Sequence, residues 1–300
     1  MRPAAVLVAL ALMITGLTAC GDDVAGGAGS SGSGTDPDPS GGAGDGAKVK
    51  GVGTVLESPD HGPQLCLGGV MESYPPQCGG PDLVGWDWAE VEGAESASGT
   101  TWGSYAVTGT WADGRLTVIK AEAPETVEEP AGDQNFMTPC EPPAGGWAVV
   151  DPVTATDEAM QRALAGAAGE PDYAGAWVDQ SINPASDAGT PAVEAEAALN
   201  DPTKLVLNVM FTGDLDRHEA ELRAVWGGAL CVSSAPRSEA ELLEIQTALA
   251  DEPGVLGSSP EPRAGTLEVS VIIDDGLQQR MDEQYGTGVV LVLPALSPVE

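Results

Sequence analysis

The chain has 300 residues, with 12 Lys and Arg against 46 Asp and Glu, giving a formal net charge of -34 at pH 7. At roughly 150 residues per domain this length allows about two domains, and 42% hydrophobic residues are enough for ordinary cores. The charge excludes nucleic acid as a partner, because phosphate binding needs clustered Lys and Arg. It equally disfavours a basic patch on an anionic membrane surface.

Met1-Arg2-Pro3 is a short positive start, Ala4 to Leu17 is an uncharged apolar run, and Leu17-Thr18-Ala19-Cys20 closes it before Gly21-Asp22-Asp23. The run is shorter than the about 20 apolar residues that a bilayer span requires, so residues 1–20 read as a secretory signal. The small residues before Cys20 resemble the lipobox of bacterial lipoproteins. That resemblance implies a diacylglycerol on the Cys20 thiol and cleavage that leaves Cys20 first in the mature chain. It also implies palmitate-type acylation that holds the protein on the extracytoplasmic side of the cell membrane. Residues 21–47 are Gly, Ser, Ala, Asp and Pro but for Val24 and Thr35, without an aromatic residue. Such a stretch buries too little apolar area to offset its ordering entropy and reads as a disordered tether.

A small β domain is expected over residues 48–123. Val49 to Glu57 alternates and is rich in β-branched residues, Gln64-Leu65-Cys66-Leu67 is a second short strand, and Tyr105–Trp111 with Arg115–Lys120 flank Asp113-Gly114 as a hairpin. A Gly- and Pro-rich barrel-like arrangement fits this pattern. Seven of the thirteen aromatic residues are Trp. Trp86, Trp88 and Trp102 form a candidate binding surface, although Trp also fills the cores of small domains that have few other large residues. A Pro- and Glu-rich connection follows over residues 124–150 and carries Cys140.

Residues 151–300 alternate strands and helices. Thr156 caps a helix from Asp157 to Ala168. Strands are expected at Tyr173–Asp179, Lys204–Phe211, Gly228–Val232, Leu267–Ile273 and Gly288–Leu293. Further helices open at Asp214 or Asp216, at Ser238 and at Asp275. This order indicates an α+β fold, a ferredoxin-like sandwich with one mixed sheet and helices on one face. Tyr173-Ala174-Gly175-Ala176-Trp177-Val178-Asp179, the strand-helix-strand that follows it and Ser238-Glu239-Ala240-Glu241-Leu242-Leu243-Glu244 resemble the pro-regions of secreted chymotrypsin-like bacterial proteases, with Gly175, Trp177 and Asp179 as the pointed matches. The resemblance implies a sheet that docks on a protease. No protease domain follows Glu300, so it implies a binding scaffold that serves as an inhibitor or folding helper of a secreted serine protease.

After Cys20 the chain holds Cys66, Cys78, Cys140 and Cys231, an even number that argues for two disulfides in an exported protein. Three pairings are open. Cys66 with Cys78 is favoured because both lie in the first domain around a Pro-rich loop, which leaves Cys140 with Cys231. A metal site of His61, Cys66 and Cys78 matches no tight zinc spacing, and export opposes free thiolates, so no metal or other cofactor is expected. His61 lies in a turn, and His218 falls in what reads as the exposed first turn of a helix. No Gly-Xaa-Ser-Xaa-Gly elbow, phosphate loop or His-Glu-Xaa-Xaa-His occurs. Asp274-Asp275-Gly276 reads as a turn and N-cap before it reads as a calcium ligand set. The expected function is a non-enzymatic module that binds an envelope protein or ligand. The alternatives are the protease inhibitor or helper and an acid-pair hydrolase, which needs two carboxylates on one pocket.

Overall fold

The computed structural model describes residues 46–124, 136–186 and 198–299; the predicted signal, Cys20 and residues 21–45 of the tether lie outside them. The first half is β1 (Ala47–Ser58), β2 (His61–Cys66), β3 (Asp82–Val84), β4 (Glu95–Ala97), β5 (Thr100–Ala112) and β6 (Arg115–Glu122), with a short 3-10 turn at Trp88–Glu90. Strand β1 pairs with β2 and with β5, β2 with β3, β3 with β6 in parallel, and β6 with β5, so the pairings return to where they began. Strand β1 takes neighbours on both edges because its backbone approaches theirs closely. A Cβ on Gly53 would lie 2.3 Å from the Cys66 carbonyl oxygen, so only glycine fits there. Asp113 and Gly114 both have positive φ, 51° and 72°, which is the geometry a two-residue hairpin turn requires.

Alternate residues of these strands point inward. Val49, Val55, Leu65, Val107 and Leu116 are fully buried in one cluster with Leu296 from the far end of the chain. Strand β13 (Ser297–Pro298) brings Leu296 there by pairing with Val49 and Lys50 of β1. A disulfide joins Cys66 to Cys78 across the loop between β2 and β3, in which the Tyr74–Pro75 bond is cis.

The second half runs α1 (Asp157–Ala167), β7 (Tyr173–Asp179), β8 (Val206–Phe211), α2 (Leu215–Arg223), β9 (Ala229–Ser234), then α3 (Glu239–Leu249), β10 (Val255–Glu261), β11 (Thr266–Val271), α4 (Leu277–Tyr285) and β12 (Val290–Pro294). The mixed α+β class is what the chain adopts. The strands form two three-stranded sheets, β7-β8-β9 and β10-β11-β12, where the sequence reading expects one. The cause is β10. Its Gly, Ser and Pro residues carry no strand signal, yet it hairpins with β11 and begins a sheet of its own. Each sheet has the same pattern, an antiparallel hairpin followed by a parallel strand reached through a helix.

The helix starts follow from local chemistry. Thr156 accepts a hydrogen bond from the Ala159 N–H, and Ser238 with Glu241 forms a reciprocal capping box. Asp274 Oδ1 accepts from the Gln278 N–H at 3.2 Å and from the Gly276 N–H at 3.0 Å, which makes the turn read from the sequence, while the N-cap position itself falls on Gly276 with φ 95° and the helix opens at Leu277.

The second disulfide, Cys140–Cys231, spans 91 residues. By loop entropy the double variant Cys140→Ser/Cys231→Ser loses about 4.5 kcal/mol of stability, against about 3 kcal/mol for the shorter Cys66–Cys78 loop. Urea unfolding of the two variants measures both losses; a loss below about 1 kcal/mol for the first would show that noncovalent contacts alone hold the connection.

Candidate functional site

Strand β8 is buried at every residue, so its sheet is covered on both faces. On the inner face Leu207, Val209, Phe211 and Leu230 pack with Ala159, Ala163 and Ala167 of α1 and Leu222 of α2. The outer face carries Val206, Asn208 and Met210, with Trp177 and Cys231 beside them. Described residues of the connecting segment cover this side of the strand. Cys140 is bonded to Cys231, and Trp147 packs with them. The Thr138 N–H and hydroxyl donate to Asp179 Oδ2 at 2.7 and 2.8 Å, and the Trp177 indole N–H donates to the Phe136 carbonyl at 2.9 Å.

Gly175, Trp177 and Asp179 thus share one face of β7, as residues two apart in a strand must. Each makes a contact there. Gly175 leaves room for Pro262, which a Cβ would meet at 3.0 Å. Trp177 lies under Arg263, whose guanidinium carbon is 5.0 Å from the ring centroid. Asp179 is 5% exposed. Burial works against its carboxylate, but hydrogen bonds from Ser181 and Thr138 outweigh that and hold its carboxyl below the ordinary value.

Beside Phe136 and Trp177 a cavity of about 800 Å³ opens. Trp177, Phe136 and Met210 give it an apolar wall, and the β10–β11 hairpin contributes Glu261, Arg263 and Glu268. An aromatic ring facing a guanidinium and two carboxylates is equipped to hold an amphipathic group. Asn208 Oδ1 and Ser233 Oγ, on the same sheet, are buried with no hydrogen-bond partner among the described residues.

A second cluster corrects the sequence reading of His218. It is 1% exposed, not a surface residue, because the first turn of α2 rolls it onto Phe211, with the two rings stacked at 3.6 Å. His218 Nε2 lies 2.8 Å from Asp172 Oδ2, and Glu170 adds a third donor in reach of a metal. The Arg217 guanidinium already fills that place, 3.1 Å from both Glu170 and Glu221. The hydrogen bond with His218, with Arg217 nearby, holds the Asp172 carboxyl below its ordinary value. A smaller cavity of about 220 Å³ lies beside His218, lined mainly by Ala163, Ala167, Phe211 and Leu222.

The tryptophans read as a surface fall into two places. Trp86 and Trp88 make edge contacts with each other and with Tyr105 against the first core, and the Trp88 N–H donates to Glu57 Oε2. Trp102 is 9% exposed and packs with Leu56 and Cys66. Cys66 and Cys78 spend their sulfurs on each other, leaving no thiolate beside His61. Of the three resemblance residues on β7, Gly175 and Trp177 line the cavity. Glu268 lies on the strand expected from Leu267, but nothing in the sequence placed it or Arg263 beside Trp177, because β10 and the turn after it carry no strand signal.

No family model, curated protein or solved structure matches the chain.

Because the folded-state value of Asp179 is depressed, its stabilisation is present above the unfolded value of about 3.9 and is lost as pH falls through the folded value. Asp179→Asn is therefore expected to cost about 1–3 kcal/mol at neutral pH, with the difference from the parent chain shrinking as pH falls through the folded value. Chemical denaturation across that pH range measures it, and an equal difference at both ends would overturn the assignment.

Proposed function

We propose that this protein is an exported, lipid-anchored, non-enzymatic binding module of the bacterial cell envelope, held on the extracytoplasmic side of the membrane through Cys20. The observation that carries the binding half of this reading is the cavity beside Trp177, apolar on one wall and charged on the other. Two disulfides accord with an oxidising compartment. Among the described residues no helix is long and apolar enough to cross a membrane. The pairing circuit of the first half accords with a small β-barrel, and the outer face of β7 accords with the protease pro-region resemblance.

Glu261 and Glu268 line the same cavity, which keeps an acid-pair hydrolase as a second reading. Both are exposed, where solvent rather than enclosure governs a carboxylate. The binding reading expects no turnover of a polysaccharide panel by the purified chain; turnover abolished by Glu268→Gln would replace it with the hydrolase.

The anchor is tested by metabolic labelling with palmitate, which Cys20→Ala is expected to abolish while releasing the protein from the membrane fraction. Labelling unchanged in that variant would end the lipoprotein reading. The binding half is tested by placing a photo-crosslinking residue at Phe136, which is 53% exposed, on intact cells. A discrete cross-linked species that weakens in Trp177→Ala is expected.

A further inference from the structure

The loop between β2 and β3 is built unlike an ordinary connection. Residues 68–74 are exposed without interruption, including Val70 at 40%, Met71 at 64% and Tyr74 at 76%. An exposed apolar stretch of this kind is usually mobile, yet this one is restrained at every level. The Cys66–Cys78 disulfide closes its base. Above it Met71 and Gln77 form an isolated bridge, with the Met71 N–H donating to the Gln77 carbonyl at 2.9 Å. The Ser73 hydroxyl donates to the Pro75 carbonyl at 2.9 Å, and the Tyr74 ring stands edge-on against the buried Trp102 at 5.4 Å. At the apex the Ser73 N–H donates to the Met71 carbonyl at 2.8 Å, which makes Glu72 the middle residue of a three-residue turn.

The result is a convex, pre-ordered peptide with one carboxylate at its tip and apolar side chains on both flanks. We propose that this loop is the docking element for a serine endopeptidase whose specificity pocket accepts an acidic side chain, with Glu72 in that pocket and the Glu72–Ser73 bond at the catalytic serine. A protease cleft is concave and takes a protruding segment through one dominant side chain. A segment already held in shape binds without the ordering cost that a flexible substrate meets. A protease with a basic pocket is also the kind of partner that a chain of net charge -34 attracts at long range.

The same restraints make the loop an inhibitor rather than a substrate. Attack by the protease serine oxygen on the Glu72 carbonyl carbon forms an ester and breaks the Glu72–Ser73 C–N bond, and the serine proton passes through the protease histidine to the Ser73 amine. Residues 66–72 and 73–78 remain joined by the disulfide and by the Met71–Gln77 pair. The new amine therefore stays beside the acyl carbon, and its return, which reforms the peptide bond and frees the serine, outruns hydrolysis.

This inference rests on the reading of the chain as an exported binding protein and names its partner. The full chain purified in detergent is assayed against a glutamate-selective serine endopeptidase, trypsin and chymotrypsin. Inhibition of the first alone is expected. Glu72→Ala is expected to weaken it by at least about 100-fold, and Glu72→Lys to transfer inhibition to trypsin. Both substitutions are at an exposed tip, so folding is not at stake. Cys66→Ser/Cys78→Ser is expected to turn the loop into a substrate cut after Glu72. Absence of inhibition by the parent chain, rapid cleavage of it at Glu72, or inhibition unmoved by Glu72→Lys would each overturn the proposal. Palmitate labelling and the Phe136 cross-link would stand in any of these cases, so the broader reading fails or survives separately.

Discussion

A sheet has two faces, and strand β8 is buried on both. That constraint organises the second half of the molecule. Helices α1 and α2 cover only one side, and an open Val206, Met210 and Cys231 face would otherwise meet water. The connecting segment covers that side as chain outside any helix or strand, so its fastening comes from elsewhere. The fastening is covalent at Cys140–Cys231 and polar at Asp179 and Trp177. The cavity opens beside Phe136 of this segment.

The two sheets illustrate the same constraint by contrast. The order helix-strand-strand-helix-strand occurs twice, and the first helix of each unit has matching landmarks: Thr156 precedes Glu170-Pro171 by 14 residues, as Ser238 precedes Glu252-Pro253. The inner faces are filled alike, by Leu207 and Val209 in one sheet and Leu267 and Val269 in the other. The outer faces differ. In the second sheet Glu268, Ser270, Leu291 and Leu293 are exposed, and alternation along β11 and β12 is correspondingly strict. The covered sheet shows a run of apolar residues in β8, whereas the open one shows every second residue apolar.

The first half is held by returns rather than by sequence neighbours. Strand β1 finds β5 some fifty residues later and β13 at the other end of the chain. Leu296 is as deeply buried among the first strands as Val49 or Leu65. The rigid loop at Cys66–Cys78 projects from this body because both of its ends are fixed in it, through β2 and through Trp102 beneath Tyr74.

What the sequence determined by itself was local. Thr156 and Ser238 start helices because their hydroxyls satisfy free N–H groups a few residues on, and Asp113-Gly114 turns because those two residues tolerate positive φ. Cys66–Cys78 is the pairing the sequence favoured, because both lie in the first domain, while Cys140–Cys231, left as the remaining pair, joins two segments 91 residues apart. The tertiary structure decided whatever depended on a partner distant in sequence. His218 looked exposed because its own helix is polar, and it is buried because Phe211 and Asp172 come to it from β8 and from the turn before β7. Strand β10 exists because β11 offers it hydrogen bonds, not because Gly257-Ser258-Ser259 prefers a strand. The cavity exists because the β10–β11 turn places Arg263 over Trp177, 86 positions away in the chain. Local chemistry acts over a few residues and is written in order along the chain. Burial and long-range pairing are properties of the whole chain, so only the folded molecule reveals them.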